Sequence, residues 1–429
     1  MKYILIALLL IGCNKHEKEP FVYLDDLEPA VVEPHIEMQP TNNSCAWWAI
    51  PNQDYNGVPK YSGPMCTYTH KHIPVAAYGN GEVFYTTTEF LDGDFYVYAH
   101  KGVESVLVHQ INDWDDPHTN AAIQIDNQGR VNVHVASRGL DFKFQSGKHL
   151  RSVTPYELDF ECLSGCGDVN FEAYPQVFDT SFGYYVGYTH YVKDPAIHPT
   201  RNVREIWYNL NGSRTRLAKG AHYQVTYYHN GTIYVFFNYL KNAAADERYN
   251  LYGMKTSDGV NWTNLLNEPL SLPVEQDDDI VRLYETESVG NLVYLKDITY
   301  KLGVRALFTE ATTKDPTLGE RYVKEFWYDD GEDPIKTVSE TNHNYSSAAY
   351  IEHKNNTYIV LNKGVQPYAG GDISLFKVYL SGYNLVDTAN SGNYSYIRKV
   401  YGVDSMAVSG FGNSDVQSSS EHVMIFLAD

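Results

Sequence analysis

Runs of Ala, Leu, Glu and Lys at helical period are missing from this 429-residue chain, which argues against a helical bundle and favours sheet throughout. Positive charge is short as well. Thirty-three Lys and Arg stand against 53 Asp and Glu, a formal net charge of −20. Such a surface keeps a protein soluble and speaks against non-specific nucleic-acid binding. It leaves room for an anionic partner wherever the site itself is locally basic. Cysteine is scarce, with five in all. The apolar run Ile4 to Ile11 is too short to make a convincing membrane-spanning helix.

That short run has another reading. Lys2 supplies a positive start, and Leu10-Ile11-Gly12-Cys13 has the form of a bacterial lipobox. Residues 1–13 are therefore expected to be a lipoprotein signal peptide, cleaved before Cys13, whose thiol is acylated. The charged, Pro-bearing residues 14–40 read as a tether. Residues 41–429 form the folded body. The chain is expected to be an exported lipoprotein at the bacterial outer membrane or cell surface, a monomer held to the membrane through the lipid alone.

Four cysteines remain. Export permits disulfides, and the even number fits Cys45–Cys66 and Cys162–Cys166, one of three pairings that four cysteines allow. A structural zinc on Cys162, Cys166 and nearby His is the alternative, although CLSGC lacks a second pair at ligand spacing. Asp277-Asp278-Asp279 offers carboxylates to calcium without the spacing of a dedicated loop. No cofactor is required for the chemistry considered below.

Tyrosine is abundant, at 37 residues, and it sits in a recurring phrase. A polar turn ending in Gly or Asn is followed by an alternating strand of about seven residues. Examples are GNGEVFYTTTEF, DNQGRVNVHVASRG and HNGTIYVFFNYL. The turn residues Gly81, Gly129, Gly183, Gly231, Gly303 and Asn356 are separated by 48, 54, 48, 72 and 53 residues. A multi-strand repeat near fifty residues is the mark of a propeller blade. The expectation is an all-β, seven-bladed β-propeller, with an insertion around Pro269 to Asp279 filling the long interval. Strands from the two ends would complete the last blade and remove exposed edges.

The stretch from Tyr174 to Tyr208 carries the site expectation. One strand runs from Phe182 to Tyr191, and after a polar loop a second runs from Val203 to Leu210. Tyr188 near the end of the first and Arg204 near the start of the second can face each other in a hairpin. A phenol and a guanidinium there would suit removal of a proton beside a carboxylate. On its own, a blade-strand Tyr is ordinarily a packing residue, and Arg204 has Glu205 as a ready ion-pair partner.

HTNAAIQIDNQGRVNVHVASRG, followed by YPQVF, GYYVGY and RNVREIWY, resembles the propeller repeats of ulvan lyases and their relatives. The resemblance runs over roughly residues 73 to 412. It implies a seven-bladed propeller with a canyon at one end, and eliminative cleavage of a sulfated algal polysaccharide beside a uronic acid. The residues matching the family's His, Tyr and Arg are His118 (in DWDDPHTN), Tyr188 and Arg204. Arg138 stands where family members often carry a second His. TSDGVNW is a shortened form of the sialidase aspartate box, and the arginine triad and Tyr–Glu pair of a sialidase cannot be assigned. His134, Arg138, Tyr223, Arg248 and Tyr249 are the candidate substrate contacts. The competing function class is a non-catalytic, cell-surface glycan-binding propeller. A glycoside hydrolase would need paired carboxylates at defined separation.

Overall fold

The computed structural model describes residues 71–91, 94–102, 104–111, 120–136, 147–163, 172–275, 278–301, 303–315, 318–328, 334–344, 346–353, 355–362, 371–379, 382–403 and 406–411, with 38–40, 45–50 and 423–428 as backbone strands. Among them there is no α-helix, only single 3-10 turns at Lys241–Ala243, Asp279–Val281 and Glu287–Val289. None is a helix long and apolar enough to cross a membrane.

Five consecutive four-stranded antiparallel meanders follow one another along the chain. We call them blades I to V. Blade I spans Ala76–Gly79 to Glu104–Ile111, blade II Ala121–Ile125 to Phe160–Cys162, and blade III Ala173–Thr180 to Ser213–Lys219. Blade IV spans Ala221–His229 to Arg282–Tyr284, and blade V Leu292–Tyr300 to Ile335–Glu340. An eight-stranded sheet follows, from Ala348–His353 through the 18-residue strand Gly382–Lys399 to Val423–Ala428. There the N-terminal strand Cys45–Ile50 pairs with Val423–Ala428, with Trp47 opposite Phe426. The expected closure between the two ends is thus present. First strands of successive blades contact one another, and Ala77 bridges Tyr401, bringing blade I to the last sheet. This is the all-β propeller arrangement that the repeat spacing predicts.

The repeating phrase marks the hairpin between the first and second strands of each blade. In blades I and IV its turn is Asn-Gly, at Asn80-Gly81 and Asn230-Gly231, with both residues at positive φ. That is the two-residue turn whose twist matches the flanking strands. The long interval is an insertion, as expected. After Thr256 the chain folds back, with Thr263 bridging Lys255, and Val274 then bridges Ala218 on the outer strand of blade III. The shortened aspartate box forms a working turn. Asp258 accepts the backbone N–H groups of Val260 and Asn261 at 2.8 and 2.7 Å, which draws its pKa down to about 2. Trp262 is buried beneath it, next to Tyr208.

Apolar side chains fill the clefts between blades, and buried polar groups stitch them. Gln176 is fully buried; its amide donates to the carbonyls of Lys71 and Gln224, and its oxygen accepts the N–H of Thr226. Between blade V and the last sheet, Glu325 accepts the hydroxyls of Tyr350 (2.8 Å) and Tyr383 (2.7 Å) and faces Arg305 at 3.4 Å. Arg305 lies 3.9 Å over the Trp327 ring. Removing one member of a buried ion pair strands the other charge, so Glu325→Ala is expected to lower stability by about 3–5 kcal/mol. Urea unfolding of the variant measures this; a midpoint within error of wild type would contradict the assignment.

Candidate active site on one rim of the blades

In a meander, the start of the first strand, the end of the second and the start of the third share one rim. On that rim, blades III, IV and V each carry a bulge in their first strand. The register slips between Ala173 and Gln176, between His222 and Val225, and between Leu295 and Asp297. Tyr174 (φ 56°) and Tyr223 (φ 55°) are thereby held in the left-handed region. Bulky residues adopt that conformation only where the surroundings enforce it, and bulges recur beside functional sites because they re-aim side chains.

The re-aimed rings converge. Tyr174 lies 5.7 Å from Tyr223 and 5.5 Å from His222, centroid to centroid, and Tyr191 donates its hydroxyl to that of Tyr174 at 3.4 Å. Tyr191 is the registered partner of Arg204, whose guanidinium carbon lies 5.4 Å from the Tyr191 ring centre. Arg204 also donates to the carbonyl of Ala243 in blade IV at 2.9 Å. Burial works against its charge, but Tyr191, Tyr223 and Tyr174 together outweigh that and hold its pKa above the ordinary value. Arg248 is clasped between the Tyr223 and Tyr294 rings, at 3.8 and 4.7 Å. Tyr294 accepts from Asn344, which also accepts from Arg321. The result is a buried aromatic cluster at this rim, here called the basin, with three guanidinium groups among its rings, in a protein that is acidic overall.

Of the expected site residues, Arg204, Tyr223 and Arg248 meet here. Tyr249, the neighbour of Arg248, packs against Leu292, Tyr294 and Ala311 under the Lys241 ammonium, at the edge of this group. Tyr174, Tyr191, His222 and Tyr294 are the members that sequence reasoning missed. His118 and Arg138 lie outside the described residues. So do Cys13, Cys66 and Cys166, and Cys45 is placed only as backbone, which leaves the disulfide pairing an expectation. Among the described residues no group of three or more His, Cys, Asp and Glu is arranged to hold a metal ion.

The expected meeting of Tyr188 with Arg204 does not occur. Tyr188 pairs with Trp207, three register positions from the Tyr191–Arg204 pair. An odd offset puts the two side chains on opposite faces of the blade. Tyr188 is buried among Ala122, Val177 and Val186, toward blade II, and burial followed by Glu172 raises its pKa. His134 is on that side too. Its Nε2 lies 2.8 Å from Glu172, which also faces Arg214 at 3.3 Å. These groups border a separate cavity of about 500 Å³ between blades II and III.

No family model matches the sequence, and no curated protein sequence matches it. Solved structures do. A PL25 ulvan lyase bound to -[GlcA(1-4)Rha3S]- superposes with a TM-score of 0.62 at 12% identity, over 87% of this chain and 94% of the other. A second structure of a PL25 ulvan lyase gives 0.61 at 13% identity over the same shares. The chain has an ulvan lyase-like propeller fold.

Four histidines give the protein a predictable acid response. Burial lowers the pKa of His100, His109 and His149 to about 3, helped at His109 by Lys148 and at His149 by His134 and Arg151, and that of His343 to about 4, helped by Lys296 and Arg321. In the unfolded chain all four titrate at about 6.5. Below that value the unfolded state binds more protons, so stability present above about pH 6.5 is lost progressively as pH falls toward 4. Melting temperature should drop across this window, and His343→Asn should flatten the slope. An unchanged slope in that variant would remove His343 from the account.

Proposed function

We propose that the protein is a polysaccharide lyase that cleaves a sulfated, uronate-containing, ulvan-like polysaccharide by β-elimination, on a propeller of seven blades. In the eight-stranded sheet the long strand Gly382–Lys399 ends one set of four and opens a second, completed by Met406–Phe411, Val423–Ala428 and Cys45–Ile50 with Met38–Pro40 outermost, which supports seven. The observation that carries the chemistry is the Tyr191–Arg204 pair on the rim of the aromatic basin.

Elimination breaks the C5–H bond of the uronate, forms the C4–C5 double bond and expels the C4 oxygen. The C5 proton becomes accessible only when the adjacent carboxylate is neutralised. Arg204 suits that role, because a guanidinium stays charged and meets a carboxylate through two parallel hydrogen bonds. Stabilising charge as it develops is ordinarily the largest catalytic contribution. Tyr191, rather than Tyr188, is the phenol within reach of a carboxylate held by Arg204, and as the phenolate, its own proton lost beforehand, it takes the C5 proton. The departing oxygen is protonated by Tyr191 in return or by His118. Tyr174, Tyr223 and Tyr294 pack behind this pair, and the buried Arg248 and Arg321 add positive charge to the field that a polyanion would meet. The PL25 ulvan lyase structure, with its uronate-containing ligand, is consistent with this substrate class.

The rest of the reading follows the sequence: an exported, monomeric lipoprotein anchored through acylated Cys13, with two disulfides and no required cofactor. Detergent partitioning of the native protein, lost in Cys13→Ser, tests the anchor.

The activity test is ultraviolet absorbance of the unsaturated uronate product on a panel of uronate polymers. Arg204→Ala should abolish turnover more than binding, and Arg204→Lys should restore only part of it. Tyr191→Phe should lower kcat by about 10²–10⁴ with melting temperature retained. Tyr188→Phe should stay within several-fold of wild type. The reverse ranking of the two tyrosines would return the base to Tyr188. Binding of a uronate polymer without any unsaturated product would make the protein a glycan-binding propeller.

A further inference from the structure

Behind the aromatic basin, toward the first strands of the blades, two lysine ammonium groups are buried among further cations. Lys71 is 1% exposed and its ammonium donates to the carbonyl of Leu295 at 2.8 Å. Lys296, the extra residue of the blade V bulge, is 6% exposed and donates to the carbonyl of Asn344 at 2.6 Å. A carbonyl satisfies an N–H but does not cancel a charge. Neither ammonium has a carboxylate within ion-pair distance among the described residues. Three of the charged groups that act on Lys71 are cations, namely Lys296, Arg248 and Arg398, and one is an acid, Asp297. That acid is already engaged: it faces Lys399 at 3.2 Å and accepts the N–H of Tyr350 at 2.9 Å.

Uncompensated buried ammonium groups cost several kcal/mol each. One outcome is loss of a proton, and burial together with the neighbouring cations does pull both lysines well below their ordinary pKa. The other outcome is a counter-ion, and the structure provides a place for one. Lys296, Arg398, Lys399 and His72 border a small cavity that Asp297, the acid paired to Lys399, and Tyr401 also line, with Pro74, Val75, Ala348 and Ile397 among its apolar residues. The space open to the centre of a water-sized sphere is about 10 Å³, room for roughly one such occupant. That excludes a sugar and crowds a tetrahedral oxyanion. Three cations against one acid that is already engaged, with apolar groups around them, suit a small, weakly hydrated anion.

We propose that this cavity is a halide site, in which one chloride ion neutralises Lys296 and, with it, the neighbouring Lys71. The ion ties the blade V bulge to the segment preceding blade I and to the strand that ends at Lys399. The inference stands independently of the lyase reading, since it concerns charge balance behind the basin.

The test uses the full-length protein, exchanged into chloride-free sodium gluconate and titrated with sodium chloride or bromide at fixed ionic strength. Melting temperature should rise saturably by about 2–4 °C with either halide, as expected of a ligand that binds only the folded state. Sodium sulfate at matched ionic strength should not reproduce the rise. A crystal soaked in bromide should show an anomalous peak in hydrogen-bond reach of the Lys296 ammonium. Lys296→Met, which removes the charge and keeps the volume, should fold with an unchanged circular dichroism spectrum and lose the halide response. The proposal is overturned by a melting temperature indifferent to halide, by a bromide peak elsewhere only, or by a full halide response in Lys296→Met. Stabilisation by a sulfated polymer that halide does not compete with, lost in Lys296→Met, would equally overturn it and assign the cluster to substrate.

Discussion

Side chains alternate across a β-strand, and in a stack of blades each face of a strand belongs to a different neighbour. The placement of every functional group in this protein depends on that constraint. In the strand Gly183–Val192, Tyr184, Val186 and Tyr188 look toward blade II, while Tyr185, Thr189 and Tyr191 look toward blade IV. The strand Val203–Leu210 obeys the same rule through its pairing, so Arg204 shares the face of Tyr191. A shift of three residues therefore changes which cleft a phenol serves, and with it which chemistry it can join. Tyr188 packs among apolar side chains on the side of the His134–Glu172 pair. Tyr191 joins a guanidinium on the rim.

Bulges are the means by which the fold works around this rule. Strict alternation would send Tyr174 and Tyr223 along the flat of their strands. One extra residue in each first strand breaks the alternation and turns both rings toward the rim, at the cost of a left-handed backbone for two bulky residues. Holding them there needs support from outside the strand. Tyr174 has it from Tyr191 and His222, and Tyr223 from Arg248. Strain, stacking and charge are thus coupled. The guanidinium of Arg248 is kept in an aromatic clasp, where its attraction to a ring is strongest once water is excluded.

Much of the fold was legible because its cues are local. Turn chemistry at Asn80-Gly81 and Asn230-Gly231, alternation after each turn and the interval between turns suffice to find the blades. The excess of the 72-residue interval points at the inserted segment. The site was legible only in part. Arg204 and Arg248 stand out as cations in aromatic surroundings, and Tyr223 was within reach of the same reasoning. Tyr174, Tyr191, His222 and Tyr294 did not stand out among 37 tyrosines and 16 histidines. Which tyrosine faces Arg204 is set by register across the loop 193–202, and loop length does not fix register when both flanking strands alternate. The bulges leave no mark in the sequence at all, because Tyr174 and Tyr223 are not residues that ordinarily announce positive φ.

Charge distribution links the basin to the body of the protein. A net charge of −20 sets a repulsive field for any polyanion approaching at random. Arg204, Arg248 and Arg321 gather on a single rim, and Lys71, Lys296 and Arg398 lie behind it. Clefts of one sign within a surface of the other focus the field, so a polyanion would meet less repulsion at that rim than over the bulk of the surface. The same concentration of cations is costly in the folded protein unless something negative resides among them. Arginine on the rim tolerates this because its charge is diffuse and its planar face stacks on tyrosine. Lysine behind it does not, since an ammonium is a compact charge that binds water strongly. The division of labour between the two residue types therefore follows from hydration: guanidinium where aromatic rings can share the charge, ammonium only where a counter-ion or a backbone carbonyl can reach it.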